Sequence, residues 1–359
     1  MEEQEILKFL KKKKPEIDET IEKYLPRKVT EEWLKFTFGK PRYRYNLNSA
    51  QKSLIDPIWN FLDRGGKRWR PILFLLIAEV IGKNSEKLKD FAIIPEIIHN
   101  GTIMIDDVED KGELRRGKPA LHKIYGEDIA INTGNFMYYF PLLILIKNKD
   151  KFKPETLLKA YEIYLQEMAN LSLGQGMDIY WHKGKVNEIK EEEYMQMCAY
   201  KTGCLSRMAA KLAVVLSGGN DELAEKIGKV AEAMGVAFQI QDDILDITLT
   251  GEAREKFGKI FGNDIKEGKR TLMVIYTLKK ATEEDKKRLI EILNKHTDDF
   301  KEKEEAILII KKYNAVDYAK NKAREILEKA WEEAESLLKE SEAKRLLKQF
   351  VYYLIERKV

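Results

Sequence analysis

From about residue 48 onward, apolar side chains recur every three or four positions, the period of a helix with one buried face. The pattern predicts helices over 48–63, 67–82, 86–110, 127–147, 154–181, 190–217, 220–246, 269–280, 283–296, 301–312, 315–337 and 341–356. Glycine and proline fall mostly where these segments end. No stretch alternates apolar and polar residues as a half-buried strand does. The expected fold class is therefore all-α, with 1–359 as a single large helical domain. Residues 1–47 are polar, with an extended-looking tract near Pro41, and read as one or two short helices and an N-terminal arm.

Two of these helices carry a doubled acidic pattern. The segment 97–116 reads IIHNGTIMIDDVEDKGELRR, with Asp106, Asp107 and Asp110 in a DDxxD cluster at the end of an apolar run. The segment 238–246, FQIQDDILD, repeats the spacing with Asp242, Asp243 and Asp246. Residues four apart share a helix face, so Asp106 stacks with Asp110 and Asp242 with Asp246. Like charges at that spacing repel, and something positive must offset the cost. Two such clusters can face each other across a pocket and hold hard divalent cations, and Mg²⁺ commonly shares such a site with substrate phosphates. A lone DDxxD is usually a solvated helix face, as Asp298 and Asp299 are in the polar run HTDDFKEKEE. Two matches, each after an apolar run and each followed by a basic segment, are not explained that way.

Composition narrows the class. Of 359 residues, 44% are hydrophobic, enough for a sizeable core, and 35% are charged, which fits ion-paired helix faces. The net charge of +4 is the remainder of 64 basic and 60 acidic residues and gives no support for a nucleic-acid partner. Cys198 and Cys204 lie six apart on one predicted helix and read as buried, reduced thiols. The N-terminus lacks the apolar core of a signal peptide. The longest apolar runs, 71–78 and 140–146, are too short for a transmembrane segment. The expected setting is soluble and cytoplasmic.

Basic segments accompany the acids. In GGKRWRP, Gly66 precedes Lys67, Arg68 and Arg70 at the start of an apolar helix. Glycine lets backbone approach a ligand, a helix start attracts anions, and arginine grips phosphate with two donors. His99 lies two turns before Asp106 on the same face, and Arg115 and Arg116 follow the first cluster. The glycines of GQGMD (174–178) and of Lys201-Thr202-Gly203 cost helix stability and imply close packing. Past the second cluster, Lys259 and Lys269 lie in a polar segment where they can reach a ligand held by Asp242.

Taken in order, GGKRWRP, His99, DDVEDKGELRRGKPALH, KTG, FQIQDDILD and GKIFGNDIKEGK resemble a trans-isoprenyl diphosphate synthase of the farnesyl/geranylgeranyl type, over roughly residues 65–271. The resemblance implies an all-α bundle around a deep apolar cavity, a homodimer, and three Mg²⁺ ions, for which Mn²⁺ can substitute. It implies Asp106, Asp110, Asp242 and Asp246 as metal ligands, with Asp107 and Asp243 supporting. It implies Arg115, Lys201, Thr202, Gln239, Lys259 and Lys269 around an allylic diphosphate. It implies Gly66, Lys67, Arg70, His99 and Arg116 around isopentenyl diphosphate. This chain departs from the family pattern at Asn135, where many members carry aspartate, and at Asn263; neither is a metal ligand.

The implied chemistry is head-to-tail prenyl transfer. The metals and cations make the allylic diphosphate a leaving group, and a dry cavity protects the carbocation. The double bond of isopentenyl diphosphate attacks it, and the departed diphosphate removes the proton. A terpene cyclase needs no second diphosphate site, and a non-catalytic synthase subunit tends to lose the residues kept here. Product length is expected from positions below Asp106. Thr102 and Gly101 are small where bulky aromatics stop growth at C15 in the resembling family. Ile98 lies deeper, with Tyr138 or Tyr139 beside it. The expected product is geranylgeranyl diphosphate (C20), with C25 or longer, or C15, as alternatives. The basic C-terminus, Arg357 and Lys358, is expected to close over bound diphosphate.

Overall fold

The computed structural model describes residues 2–186, 188–249 and 261–356. Among them the chain is helical except for one short hairpin, and it separates into two compact units. The first comprises 1–161, 212–219 and 341–343; the second comprises 162–211, 220–340 and 344–359.

The first unit begins with α1 (Glu2–Tyr24) and α2 (Glu31–Phe38). The N-terminal region, expected to hold one or two short helices, holds one long helix and one short one. α1 runs 23 residues, and Ile6, Leu10, Ile17 and Ile21 form a fully buried stripe. Its charged residues outnumber its apolar ones, but the few apolar ones share a face, and that face decides its docking. Next come α3 (Leu47–Ala50), a π-helical turn (Gln51–Ile55), α4 (Asp56–Leu62) and α5 (Trp69–Val80). The helix expected over 86–110 divides into a 3₁₀ turn, α6 (Lys89–Ala92) and α7 (Ile94–Glu109). Pro95 lies in the first turn of α7, where its missing N–H costs nothing and marks a new helix start. Strands β1 (Leu114–Arg115) and β2 (Lys118–Pro119) pair antiparallel. Arg116 and Gly117 between them both have positive φ, as a two-residue hairpin turn requires. Then follow α8 (Leu121–Tyr125) and α9 (Glu127–Lys147).

α9 packs along α7, and two glycines let them touch. A Cβ on Gly134 would meet Ile105 Cγ1 at 2.6 Å and the Gly101 carbonyl at 3.1 Å; one on Gly101 would meet Met137 Cβ at 2.9 Å. α9 is also long and apolar enough to cross a bilayer, which the expectation from short apolar runs overlooked. Its buried residues, among them Thr133, Gly134, Met137, Phe140 and Ile144, account for much of that apolarity as core.

The second unit takes in most of α10 (Pro154–His182), α11 (Glu191–Cys198), the π-helical turn Ala199–Gly203, the start of α12 (Cys204–Leu216), and α13 (Asp221–Thr248). α14 (Asn263–Lys266), α15 (Leu272–Lys280), α16 (Glu283–Lys295), α17 (Phe300–Lys312), α18 (Ala315–Glu335) and α19 (Glu342–Glu356) complete it. α13 starts at an asparagine cap, Asn220 Oδ1 accepting from Leu223 N at 2.9 Å, with Asp221 and Glu222 in its first turn. It packs on α18 and on the π-helical turn. Both cysteines are buried and form no disulfide, as expected.

Candidate active site

The first acid cluster ends α7. Asp110 is its C-cap, its N–H donating to the Asp106 carbonyl at 2.9 Å. Asp106 and Asp110 are half-buried, whereas Asp107 is buried on the other side. Arg115 reaches back from β1 and donates to Asp107 Oδ1 through Nε at 2.8 Å and Nη2 at 2.6 Å. Its Nη2 is also 3.7 Å from Asp106 Oδ2. Burial pushes the Asp107 carboxyl up, and Arg115 opposes that. Asp107 thus holds an arginine beside the Asp106 carboxylate. Its Oδ2 is buried and accepts no hydrogen bond among the described residues.

The same unit gathers a basic nest. Arg70 is buried with its guanidinium over the Trp69 ring, while Lys67 stays exposed. Arg116 donates to the Gly65 carbonyl and, at 3.4 Å, to Asn100 Oδ1. Burial lowers its pKa to about 10, so it remains cationic at neutral pH. Gly66 is required where it stands. Its φ is +142°, and a Cβ there would lie 2.8 Å from Arg68 Nη1 and 3.4 Å from Arg116 Nη2. His99 is held neutral: burial, then the charges of Arg70, Arg116, Arg68 and Arg115 in that order, depress its pKa well below 6.5. Arg68 is neutralised by Glu96 and Arg115 by Asp107, so Arg70 and Arg116 are the cations here that suit a diphosphate.

The second cluster ends α13 in the other unit. Asp242 is half-buried, Asp243 nearly buried and Asp246 wholly buried. Asp246 Oδ2 accepts from the Asp264 amide at 3.1 Å, so this carboxylate anchors the start of α14. Asp243 accepts from Gln239 Nε2 at 2.8 Å and from Tyr194 Oη at 2.9 Å. Gln239 Oε1 in turn accepts from Thr202 Oγ1 at 2.9 Å. Burial, then the charge of Asp264, pushes the Asp243 carboxyl well above the usual range. Asp264 is itself buried, and its Oδ2 accepts no hydrogen bond among the described residues. Crowded carboxylates of this kind fit a hard cation, which would relieve both the repulsion and the missing donor. Among the described residues no three acidic, histidine or cysteine side chains already converge on one metal position. The carboxylates fit the ion as a set of oxygen donors, not as a finished cage.

Lys201 lies in the π-helical turn and donates to Asp178 Oδ2 at 2.6 Å. Burial favours the neutral form of Asp178, but Lys201 and then Lys269 outweigh it and hold its carboxyl below the usual range. Lys269 lies 3.4 Å from Asp264 Oδ1. Helix glycines make this turn possible. A Cβ on Gly174 of α10 would lie 2.3 Å from Lys201 N, and one on Gly235 of α13 would lie 2.6 Å from Gly203 Cα. Gly176, expected to pack in the same way, has nothing within 4 Å.

Of the residues expected to hold the allylic diphosphate, Lys201, Thr202, Gln239 and Lys269 fall in the second unit around this cluster, and Arg115 in the first. Lys259, Arg357 and Lys358 lie outside the described residues. Sequence reasoning did not assign Asp178, Tyr194, Asp264 or Glu96, and it read Arg68 as one of the phosphate-gripping cations, where the structure ties it to Asp18 and Glu96. Asp178 was inside a motif singled out for its glycines. Tyr194 carried no local signal, since only the fold brings it to Asp243.

The missing side chain of Gly101 faces α9, with Gly134 O at 3.0 Å and Tyr138 Cε1 at 3.4 Å from a Cβ there. A larger side chain at 101 would press on α9. Thr102 is half-buried and Ile98 fully buried, whereas Tyr139 is 72% exposed and forms no floor within this unit.

Comparison with known proteins gives the same reading. Residues 51–310 match the family model described as polyprenyl synthetase. The geranylgeranyl diphosphate synthase of Methanosarcina mazei is 33% identical over 296 residues, covering 82% of this chain and 87% of that protein. The short chain isoprenyl diphosphate synthase of Methanothermobacter thermautotrophicus is 34% identical over 306 residues, covering 85% and 91%. The crystal structure of geranylgeranyl pyrophosphate synthetase from Pyrococcus horikoshii superimposes with a TM-score of 0.84 at 29% identity, covering 99% of each chain. With the doubled acid clusters, the basic nest and a match over most of its length, this chain belongs to the polyprenyl synthetase family and is a trans-prenyltransferase.

Proposed function

We propose that this enzyme condenses isopentenyl diphosphate head-to-tail with an allylic diphosphate and makes geranylgeranyl diphosphate. The observation that carries the reading is the pairing of two DDxxD carboxylate sets with a separate basic set, Lys67, Arg70 and Arg116, near His99. One diphosphate needs the acids and their metal; a second needs the nest. Asp106 and Asp110, and Asp242 together with Asp264, which lies near Asp243, would hold Mg²⁺. Asp246 would contribute through Oδ1, since its Oδ2 accepts from the Asp264 amide. Bound Mg²⁺ supplies charge neutralisation that makes diphosphate a leaving group.

The protein's own residues bind and orient. Asp107 aims Arg115, Asp178 aims Lys201, and Thr202 and Gln239 orient Asp243. Lys67, Arg70, Arg116 and neutral His99 receive isopentenyl diphosphate. A neutral imidazole donates one hydrogen bond to phosphate oxygen and adds no charge to an already cationic nest.

The same reading takes the enzyme to be a cytoplasmic homodimer. Reduced Cys198 and Cys204 fit a reducing compartment. α9 carries an exposed apolar stripe of Ile131, Tyr139 and Ile146, and α10 one of Leu165, Leu173 and Tyr180. Exposed apolar stripes on long helices are what a second copy would cover.

The test is incubation with Mg²⁺, labelled isopentenyl diphosphate and C5, C10 or C15 starters, followed by sizing of the dephosphorylated products. The expected product is C20. A C15 product overturns the chain-length reading, and no condensation at all overturns the function. Thr102 lies about 6 Å below Asp106 along α7. Thr102→Phe is expected to shift the product from C20 to C15; an unchanged product would show that this face does not line the tail.

A further inference from the structure

The N-terminal helix reaches the basic nest through one ion pair. Arg68 sits between Lys67 and Arg70 in left-handed backbone, φ 51° and ψ 35°. That conformation is uncommon for a side chain of this size and needs an anchor. The anchor is fourfold. Arg68 Nε donates to Asp18 Oδ1 of α1 at 2.8 Å, and Nη1 donates to Glu96 Oε1 of α7 at 3.2 Å. Nη1 also reaches the Gly65 carbonyl at 3.5 Å, and Nη2 donates to the Leu62 carbonyl at 3.1 Å. The guanidinium therefore lies folded beneath the glycine pair whose backbone leads into Lys67 and Arg70. Glu96 continues the network, accepting from Asn100 Nδ2 at 3.2 Å, and Asn100 accepts from Arg116. α1, the glycine loop, α7 and the hairpin turn meet at one buried arginine.

Arg68 and Glu96 are each 3% exposed, whereas Asp18 is 33% exposed. Glu96 neutralises the arginine charge; Asp18 adds the contact that fixes its direction. We propose that Asp18 is a positioning residue for the second diphosphate site: through Arg68 it sets the loop that presents Lys67 and Arg70. This rests on the reading of that nest as the isopentenyl diphosphate site. Misplacing a binding loop by about 1 Å is enough to cost on the order of a hundredfold. Removing one of four anchors should cost less.

The experiment measures KM for each substrate, kcat and the thermal midpoint in four variants of the full chain. Asp18→Asn keeps shape and removes the charge. It is expected to raise KM for isopentenyl diphosphate about tenfold, with KM for the allylic substrate and kcat within about twofold. Lys23→Gln is the control, because Lys23 ties α1 to Asp90 at 2.8 Å without touching Arg68. It is expected to leave both KM values unchanged. Arg68→Lys, which cannot make the forked contacts, loses more than one anchor and should raise KM for isopentenyl diphosphate at least as much as Asp18→Asn. Arg70→Ala reports on the site itself. If Arg70→Ala leaves KM for isopentenyl diphosphate unchanged, the site reading fails. If Arg70→Ala raises it and Asp18→Asn does not, the inference about Asp18 fails alone. An equal rise in Lys23→Gln, or equal rises for both substrates in Asp18→Asn, would make the effect general loosening of α1 and overturn the proposal.

Discussion

At the scale of residues, chemistry is divided between carboxylates that point outward and carboxylates that support them. Asp106 and Asp242 are half-buried and lead their clusters, while Asp107 and Asp243 are buried and hold other side chains. Asp106→Ala and Asp242→Ala should each lower turnover by on the order of a thousandfold or more, with the circular-dichroism spectrum unchanged. Near-normal turnover of either at saturating Mg²⁺ would remove that aspartate from the reaction. His99 gives a second expectation, in stability. Its pKa in the folded protein is depressed well below 6.5, so below pH 6.5 the unfolded chain binds a proton that the folded chain resists. Stability is therefore complete above that pH and falls as pH drops toward 5. His182, depressed mainly by burial, contributes in the same direction. Urea melts of His99→Gln should show a shallower loss between pH 7 and 5 than the parent; an identical slope would mean that His99 is not held neutral.

At the scale of elements, glycine decides the close approaches. α10 meets the π-helical turn at Gly174, α13 meets it at Gly235, and α7 meets α9 at Gly101 and Gly134. The turn matters because Lys201 and Thr202 lie in it. Gly174→Ala would place a methyl against backbone, which cannot swing aside as a side chain can. The expected cost is about 1–3 kcal/mol of stability, with a loss of allylic-substrate affinity as the turn shifts. Gly176→Ala, facing open space, should be neutral or slightly stabilising. Chemical denaturation of both variants checks this, and equal effects would refute the packing argument. Periodicity made the helices legible, but not their interruptions. The π-helical turn is invisible to an apolar period that continues through it. The division at Pro95 was readable from proline chemistry.

At the scale of the molecule, each compact unit supplies one acid cluster, and the basic nest belongs to the first. The exposed stripes on α9 and α10 bear on assembly. On the homodimer proposed above, Tyr139→Lys combined with Leu173→Lys should give a monomer in sedimentation velocity where the parent sediments as a dimer. A double variant that sediments like the parent would show that these stripes are not the interface.

The sequence by itself determined the fold class, the helices and both acid clusters, because helical period and DDxxD spacing are local properties that survive without tertiary context. It also pointed to His99, Arg70 and Arg116 as a basic set, through resemblance and through glycine placed beside cations. Only the tertiary structure decided which carboxylate faces outward, since Asp106 and Asp107 are neighbours in sequence and opposite in burial. It alone brought Tyr194 to Asp243, Asp178 to Lys201 and Asp18 to Arg68, pairs 49, 23 and 50 residues apart. No local rule encodes such partners, because they are chosen by how helices stack. It also set Gly101 against Gly134 and Met137 of α9, a contact that spacing along one helix does not show.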